Sequence, residues 1–550
     1  MITMSSSEGK NKIGRFTPLG ERVYHLLLEL AAIPSVTGSE NGEVQCARFI
    51  YDRLSRLGCF VQNPENLKRV RLRGDLLNRA FICALVRAKR PTKRTVILTG
   101  HFDVVDVDVC GPLRPWAFDP EEYTRRIKDL PIPEDARRDL DSGNYLFGRG
   151  VMDMKTGIAL NMCLLEDYAV CADDLEFNVM LLLVPDEEGD SAGMRAAIPL
   201  LAELQEKEGL DFLVCLNTEP FMADKCPGMF HGSIGKMMPL FLCVGREAHV
   251  ADYDEGLNST LIASYLNLSL EGSPGTREEY RGQLFPPCSC LRMRDLRAYY
   301  SVTLPERTVI YYNYLTVKKT PASLLKEMKE KAAAALSASL EHVGQTAQAA
   351  RVLDIEELFA RAERVTGKSI DKLAATLLPR ICSTDERERN IAFLSDILDL
   401  TGEKGPLIVV GFLPPFYPAR CNEEKTPRQR ALRLAAEEIR QFLLPKGLKF
   451  KEVEILQGIS DLSYTGFDGE KEDIIPLSRN MPLWEKGYDV SLDDLSKIDI
   501  PSVVLGPIGC DAHKITERVE LDYSMNILPE VVKLFLSAAA RHDDASSEAS

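Results

Sequence analysis

Four short apolar runs, at residues 80–87, 95–99, 177–184 and 212–216, constrain the fold of this chain more than any other feature. Each is bounded by polar or turn residues, as strands buried on both faces are. Apolar positions at helical spacing mark 19–32, 42–57 and 156–168, the last lying between two of the runs. The alternation predicts a three-layer α/β/α domain around a largely parallel sheet.

The texture changes near Gly235. Residues 237–244 read as a strand, 259–270 as a helix, 298–302 and 309–317 as strands, and 323–340 as a long amphipathic helix. Residues 345–400 are charged and helical in pattern, without β character, and read as an added helical segment. Alternation then resumes: strand-like 407–412, helical 428–442, strand-like 450–455 and 502–505, and a closing helix at 525–539. The expected organisation is a catalytic α/β domain begun by 1–236 and completed by 406–550, interrupted by an inserted α+β lid at 237–405.

Composition narrows the partners. Of 550 residues, 45% are apolar and 27% charged, a globular mix. With 67 Lys and Arg against 82 Asp and Glu, the net charge is −15, which repels phosphate backbones and anionic membrane surfaces. Neither nucleic acid nor a membrane is an expected partner. No stretch approaches the ~18 apolar residues of a membrane span, and 1–18 lacks a signal-peptide core, so cytoplasm is the expected location. The 14 cysteines sit singly in apolar strings, as reduced core thiols do. The one close pair, Cys288-Ser289-Cys290, is spaced too tightly for a structural zinc site. Residues 362–369 approximate a P-loop but carry Ala362 where glycine is required.

Only 7 histidines are present, and two of them fall among clustered acids. His101 and Asp103 follow the run 95–99. Residues i and i+2 of an extended chain face the same way, so the two side chains can converge at a sheet edge where α/β domains place their sites. Asp153 ends the glycine-rich turn Gly148-Arg149-Gly150-Val151-Met152-Asp153. Asp186-Glu187-Glu188 leaves the run 177–184, and Glu219 follows 212–216. Clustered acids at strand ends repel one another unless a cation or proton neutralises them. Far downstream, Asp511-Ala512-His513 supplies a second imidazole. Two imidazoles and three carboxylates, His101, Asp153, Glu188, Glu219 and His513, suit a carboxylate-bridged pair of divalent metals with room for water.

The order His-x-Asp, Gly-Arg-Gly-x-x-Asp-Met-Lys, Glu-Glu, a lone Glu and a late Ala-His resembles the dinuclear zinc aminoacylase and carboxypeptidase family, which includes acetylornithine deacetylase and succinyl-diaminopimelate desuccinylase. Gly458-Ile459-Ser460-Asp461 and the stretch from Asp511 to Val519 look most like its arginine-utilisation, RocB-like branch. The resemblance implies a zinc-exopeptidase-like catalytic domain with a ferredoxin-like βαββαβ lid at 237–345, often a dimerisation element. It implies His101, Asp153 and Glu219 on one metal and Asp153, Glu188 and His513 on the other, with Asp153 bridging. Glu187 would be the general base toward a metal-bridged water, and Asp103 the partner of His101. Zinc is the expected metal, with cobalt or manganese suiting the same donors.

The same resemblance makes His249, in Gly245-Arg246-Glu247-Ala248-His249, a candidate oxyanion donor reaching a neighbouring subunit. One departure stands out: relatives often carry an arginine for a substrate carboxylate where this chain has Leu315. Arg246, Arg307 and Arg420 are candidate substitutes. The function implied is hydrolysis of an amide bond in a peptide or N-acyl amino acid. Strict dipeptidase or carboxypeptidase action, or a non-catalytic metal-dependent binding protein on the same scaffold, are the alternatives. His25, His231, His342 and His542 receive no role.

Overall fold

The computed structural model describes residues 14–346 and 350–548. Residues 1–13, 347–349 and 549–550 lie outside them. Strands β1 (Leu67–Arg71), β2 (Ala80–Val86), β3 (Arg94–His101), β4 (Asn178–Val184), β5 (Asp211–Asn217) and β6 (Gly228–Phe230) build the first sheet. The chain then forms a second sheet from β7 (Gly235–Val244), β8 (Ser289–Asp295), β9 (Arg307–Thr316), β10 (Arg351–Asp354) and β11 (Leu407–Tyr417). It returns to the first with β12 (Lys451–Val453) and β13 (Ser502–Val504).

The first sheet has the order β1-β2-β4-β3-β5-β13-β6-β12. Its central strands β4, β3, β5 and β13 are parallel, while β2 joins β4 antiparallel. Alternate residues of β2 enter opposite cores: Ile82, Ala84 and Val86 pack with helices Pro18–Ala31, Thr156–Val170 and Leu528–Glu548, and Phe81, Cys83 and Leu85 pack with helix Ala192–Lys207. Burial on both faces explains why these strands read as unbroken apolar runs. The expected three-layer α/β/α domain is present, and its parallel strands aim their carboxyl ends at one edge. Among the described residues no helix is long and apolar enough to cross a membrane.

The lid sheet has the order β8-β9-β7-β11-β10. Its β-α-β-β-α-β succession is completed by β11, which pairs antiparallel with β7. The strand expected to reopen the catalytic domain at 406 is therefore the lid sheet's own fifth strand in chain order, and the chain leaves the lid after Tyr417 rather than at 405. An apolar run reports burial but not which sheet it joins. The segment 345–400 also differs from expectation, because it contains β10, parallel to β11. Its helices Ile355–Thr366, Ile370–Leu377 and Glu386–Thr401 cover the lid-sheet face built by Met238, Leu240, Leu242 and Val244. Met237, Phe241 and Cys243 point into the opposite core with helices Ser259–Leu270 and Pro321–His342. A third difference concerns 298–302, which is a loop; the strand is β8, an edge strand carrying Arg292 and Arg294. Charge on an edge blocks further pairing and hides the strand from an apolar pattern.

Candidate metal centre

The strand ends of the first sheet converge on a cavity of about 380 Å³ whose lining includes His101, Asp153, Glu187, Glu188, Glu219 and His513. Buried His101 closes β3, with Nε2 3.1 Å from Asp153 Oδ1 and Nδ1 3.1 Å from the Asp103 carbonyl. Asp153 Oδ2 lies 3.3 Å from His513 Nε2, so this carboxylate stands between the two imidazoles. His513 Nε2 also reaches Glu188 Oε1 at 2.8 Å. Glu219 accepts from Asn217 Nδ2 at 2.8 Å and Ser460 Oγ at 3.2 Å.

The supporting contacts explain the neighbouring sequence. Asp103, fully buried, accepts the backbone N–H groups of Glu187 and Glu188, each at 3.1 Å, and the Thr37 hydroxyl at 2.8 Å. It thereby fixes the turn carrying both glutamates as well as flanking His101. Lys155, buried in the Asp-Met-Lys sequence, donates to the Leu30 and Ile33 carbonyls at 3.0 and 2.7 Å, tying the Asp153 turn to the chain at and just beyond the end of helix Pro18–Ala31. Both ends of the site adopt left-handed backbone: φ is 70° at Asp186, 61° at Asp511 and 66° at His513. Non-glycine residues hold such angles where surrounding contacts over-determine them. Arg79 pairs with Asp186, and Arg518, fully buried, binds Asp511 at 2.5 Å and Asp139 at 2.7 Å. Gly506 lets the returning chain pass the Glu219 loop, because a Cβ there would stand 2.1 Å from the Glu219 carbonyl oxygen.

The electrostatics are those of a site built around cations. Burial, reinforced by nearby carboxylates, pushes Glu187 well above the usual carboxylate range and Glu219 up to about 8. Burial also raises Glu188. Hydrogen bonds to Asp153 and Glu188 lift His513 to about 10. Burial works against charging His101, but Glu187, Asp103 and Asp153 hold its pKa well above the ordinary value. For Asp153, burial is outweighed by His101 and His513, which hold it down. Acids and imidazoles that share protons in this way fit divalent metal, which replaces those protons. Among the described residues, two groups have candidate ligand atoms mutually within 4.8 Å: His101 with Glu187 and Glu188, and Asp153 with Glu188 and His513. Glu219 lines the same cavity but stands outside both groups.

The structure does not bring His249 to this cavity within one chain. It is exposed on the lid, its Nδ1 accepting from the Ala251 N–H at 3.1 Å. None of the three candidate arginines lines the cavity either. Arg420 is buried against Asp468 and Asp499, Arg307 pairs with Asp399 and bonds Ser395, and exposed Arg246 donates to the Glu255 carbonyl. Leu315 packs among Ile234, Phe285 and Ile455. The remaining histidines have local partners: His231 with Glu452, His342 with Tyr265, His542 with Glu438 and His25 beside Glu21.

A family model described as peptidase family M20/M25/M40 matches residues 97–468, a span containing all of the candidate ligands except His513. The chain belongs to that family. It is 33% identical to the uncharacterized protein YqjN of Bacillus subtilis over 95% of this chain and 97% of that one, and 28% identical to Protein RocB of the same organism over 95% of each. A succinyl-diaminopimelate desuccinylase of Verminephrobacter eiseniae is 27% identical over 53% of this chain and 67% of its own length. Among solved structures, the aminopeptidase PepT of Bacillus cereus shares the fold with a TM-score of 0.53 at 12% identity, covering 96% of this chain and 100% of that one. Membership makes the chain a metal-dependent hydrolase of amide bonds.

Sequence reasoning left three site residues unassigned. Glu517, buried, pairs with Arg149 at 2.6 Å and accepts the N–H groups of Met152 and Asp153 at 3.3 and 3.5 Å; its only sequence signal is its place four residues after His513. Asp461 is buried with neither carboxylate oxygen in hydrogen-bonding geometry with a described residue, and burial pushes it up to about 7. Lys236, at the start of the lid, lines the cavity; a lone lysine opening a strand carries no signal of this.

Proposed function

We propose that this cavity hydrolyses the amide bond of a small peptide or an N-acyl amino acid, with His101, Asp153, Glu188, Glu219 and His513 holding two divalent ions and Glu187 serving as general base. The observation that carries the reading is the approach of His513 to Glu188 and Asp153, at 2.8 and 3.3 Å. An imidazole from near the chain's end there completes a donor set begun at His101. Bound, two divalent ions would polarise the scissile carbonyl and acidify an attacking water. Glu187 lies 3.8 Å from His101 Nε2 and is rooted by its N–H on Asp103. Its burial favours keeping a proton taken from that water until the departing amine nitrogen accepts it. Asp103 positions rather than reacts.

Mixed imidazole and carboxylate donors favour zinc, and cobalt or manganese suit the same set. The likeness to RocB across both chains supports a place in the arginine-utilisation branch, and the acidic charge and scattered cysteines support a cytoplasmic location. A lid-mediated dimer is supported by the surroundings of His249. Its backbone bridges Thr303, beside a loop where Tyr299 is 88% and Tyr300 91% exposed, with Val250, Tyr253 and Val302 also exposed. Apolar surface of this kind marks contact sites. In such a dimer His249 would serve the partner's cavity.

Loading the stripped protein with zinc, cobalt or manganese and assaying dipeptides beside N-acyl amino acids tests the reading. Glu187→Gln should keep bound metal and lose turnover; undiminished turnover would refute the assignment.

A further inference from the structure

Lys236 differs from every other group lining the metal-site cavity. Apart from the two histidines, its side chain is the only cationic one there among the described residues, in a lining that holds four carboxylic acids and several apolar residues. It is half-buried, and among the described residues no hydrogen bond or ion pair engages its ammonium. The nearest acid by electrostatic influence, Asp190, already pairs with Arg387 at 3.8 Å. A half-buried ammonium without a counter-ion is unfavourable in the free protein. It becomes favourable when an anion enters.

The lid sheet sets a second donor beside it. In the ladders, Lys236 lies opposite Leu315 on β9 and opposite Tyr417 on β11, and residues opposite one another share a face. Tyr417 also lines the cavity. Its hydroxyl oxygen accepts from Ser191 Oγ at 3.2 Å, so its own proton is free to be donated. Leu315, at the position where relatives often carry an arginine, thus packs in an apolar cluster, and a cation stands opposite it on the adjoining strand.

We propose that Lys236 and the Tyr417 hydroxyl form a seat for a carboxylate of the substrate, so that the enzyme acts on small amides carrying a negative charge close to the scissile bond. The inference rests on the amidohydrolase reading above. The cavity of about 380 Å³ bounds the distance, because seat and metal ligands line one space of small-molecule size. The carboxylate can belong to the amino-acid side of the amide or to a dicarboxylic acyl group.

Two matched pairs separate these sources in the zinc-loaded enzyme. N-acetyl-L-methionine against its C-terminal amide varies the first carboxylate, and N-succinyl-L-methioninamide against N-butyryl-L-methioninamide varies the second. A charge-assisted contact predicts a preference of roughly 10- to 100-fold in kcat/KM for the charged member of one pair, carried mainly by KM. Lys236→Met should collapse that ratio toward one, Lys236→Arg should keep most of it, and Tyr417→Phe should reduce it in part. Metal content of each variant reports that the site is intact. Calorimetric binding of the same pairs to Glu187→Gln protein reads the seat without turnover. A charged-member preference there without hydrolysis in wild type would leave the seat standing and sink the hydrolase reading. Equal treatment of both members in both pairs, or a ratio untouched by Lys236→Met, would overturn the seat.

Discussion

Glu517 accepts the backbone N–H of Asp153 at 3.5 Å with one carboxylate oxygen and binds Arg149 at 2.6 Å with the other. The two ends of the donor set, the Asp153 turn and the His513 turn, are therefore joined through a buried ion pair. Removing one partner of such a pair strands the other charge. Glu517→Ala is expected to destabilise the protein by about 3–5 kcal/mol and to weaken metal binding, read by denaturant unfolding and metal titration. A variant with wild-type stability and metal affinity would refute the linkage.

Asp103 has a separate task, since both of its oxygens receive N–H groups from the Glu187-Glu188 turn. In Asp103→Asn one oxygen becomes an NH₂ facing a donor. The size is preserved, so folding should survive while the turn shifts. Partners behind a metal site typically contribute about 10–100-fold to metal affinity or activity, and a loss of that order in zinc affinity is expected. Calorimetric zinc titration checks it.

Stability of the metal-free protein should depend on pH in a defined direction. Burial, aided by nearby acids, raises Glu43 and Glu219 to about 8 and Asp461 and Glu517 to about 7, and hydrogen bonds raise His513 to about 10. Each folded pKa exceeds the unfolded one, so the stability each group contributes is complete below its unfolded pKa and is lost as pH rises through its folded one. Asp103 and Asp153 are shifted down and act only at lower pH. The melting temperature of stripped protein should fall from pH 5 to pH 8, and saturating zinc should oppose the fall. A rise over that range would contradict the assignment.

His249 is exposed and outside its own chain's cavity. If it serves as an oxyanion donor across a dimer, His249→Ala should lower kcat by about 10²–10³-fold. Mixing inactive His249→Ala and Glu187→Ala proteins under exchange should restore turnover, because a mixed pair contains one complete site. No recovery in proven heterodimers would exclude the cross-subunit role.

Much of the site was legible because its residues sit where strands stop. The buried strands are mainly apolar, so the ionisable groups His101 at the end of β3, Asp186–Glu188 just beyond β4 and Glu219 just beyond β5 stand out. The Glu517 contact was illegible because a glutamate in a turn has no periodicity and its partner lies in a distant loop. The lid boundary was missed at β11 for a related reason: buried strands of either sheet share one composition. Edge strand β8 was overlooked because its exposed face carries charge.

The sequence by itself determined the layered α/β fold, the strands of its core and the types of donor at their ends, since burial and strand termination are local properties of the chain. Only the tertiary structure decided that β11 belongs to the lid, that Glu517 ties His513's turn to Asp153, and that Lys236 lines the cavity while Arg246, Arg307 and Arg420 are engaged elsewhere. Those outcomes depend on which distant segments pack together, and side-chain period carries no record of the partner across the contact.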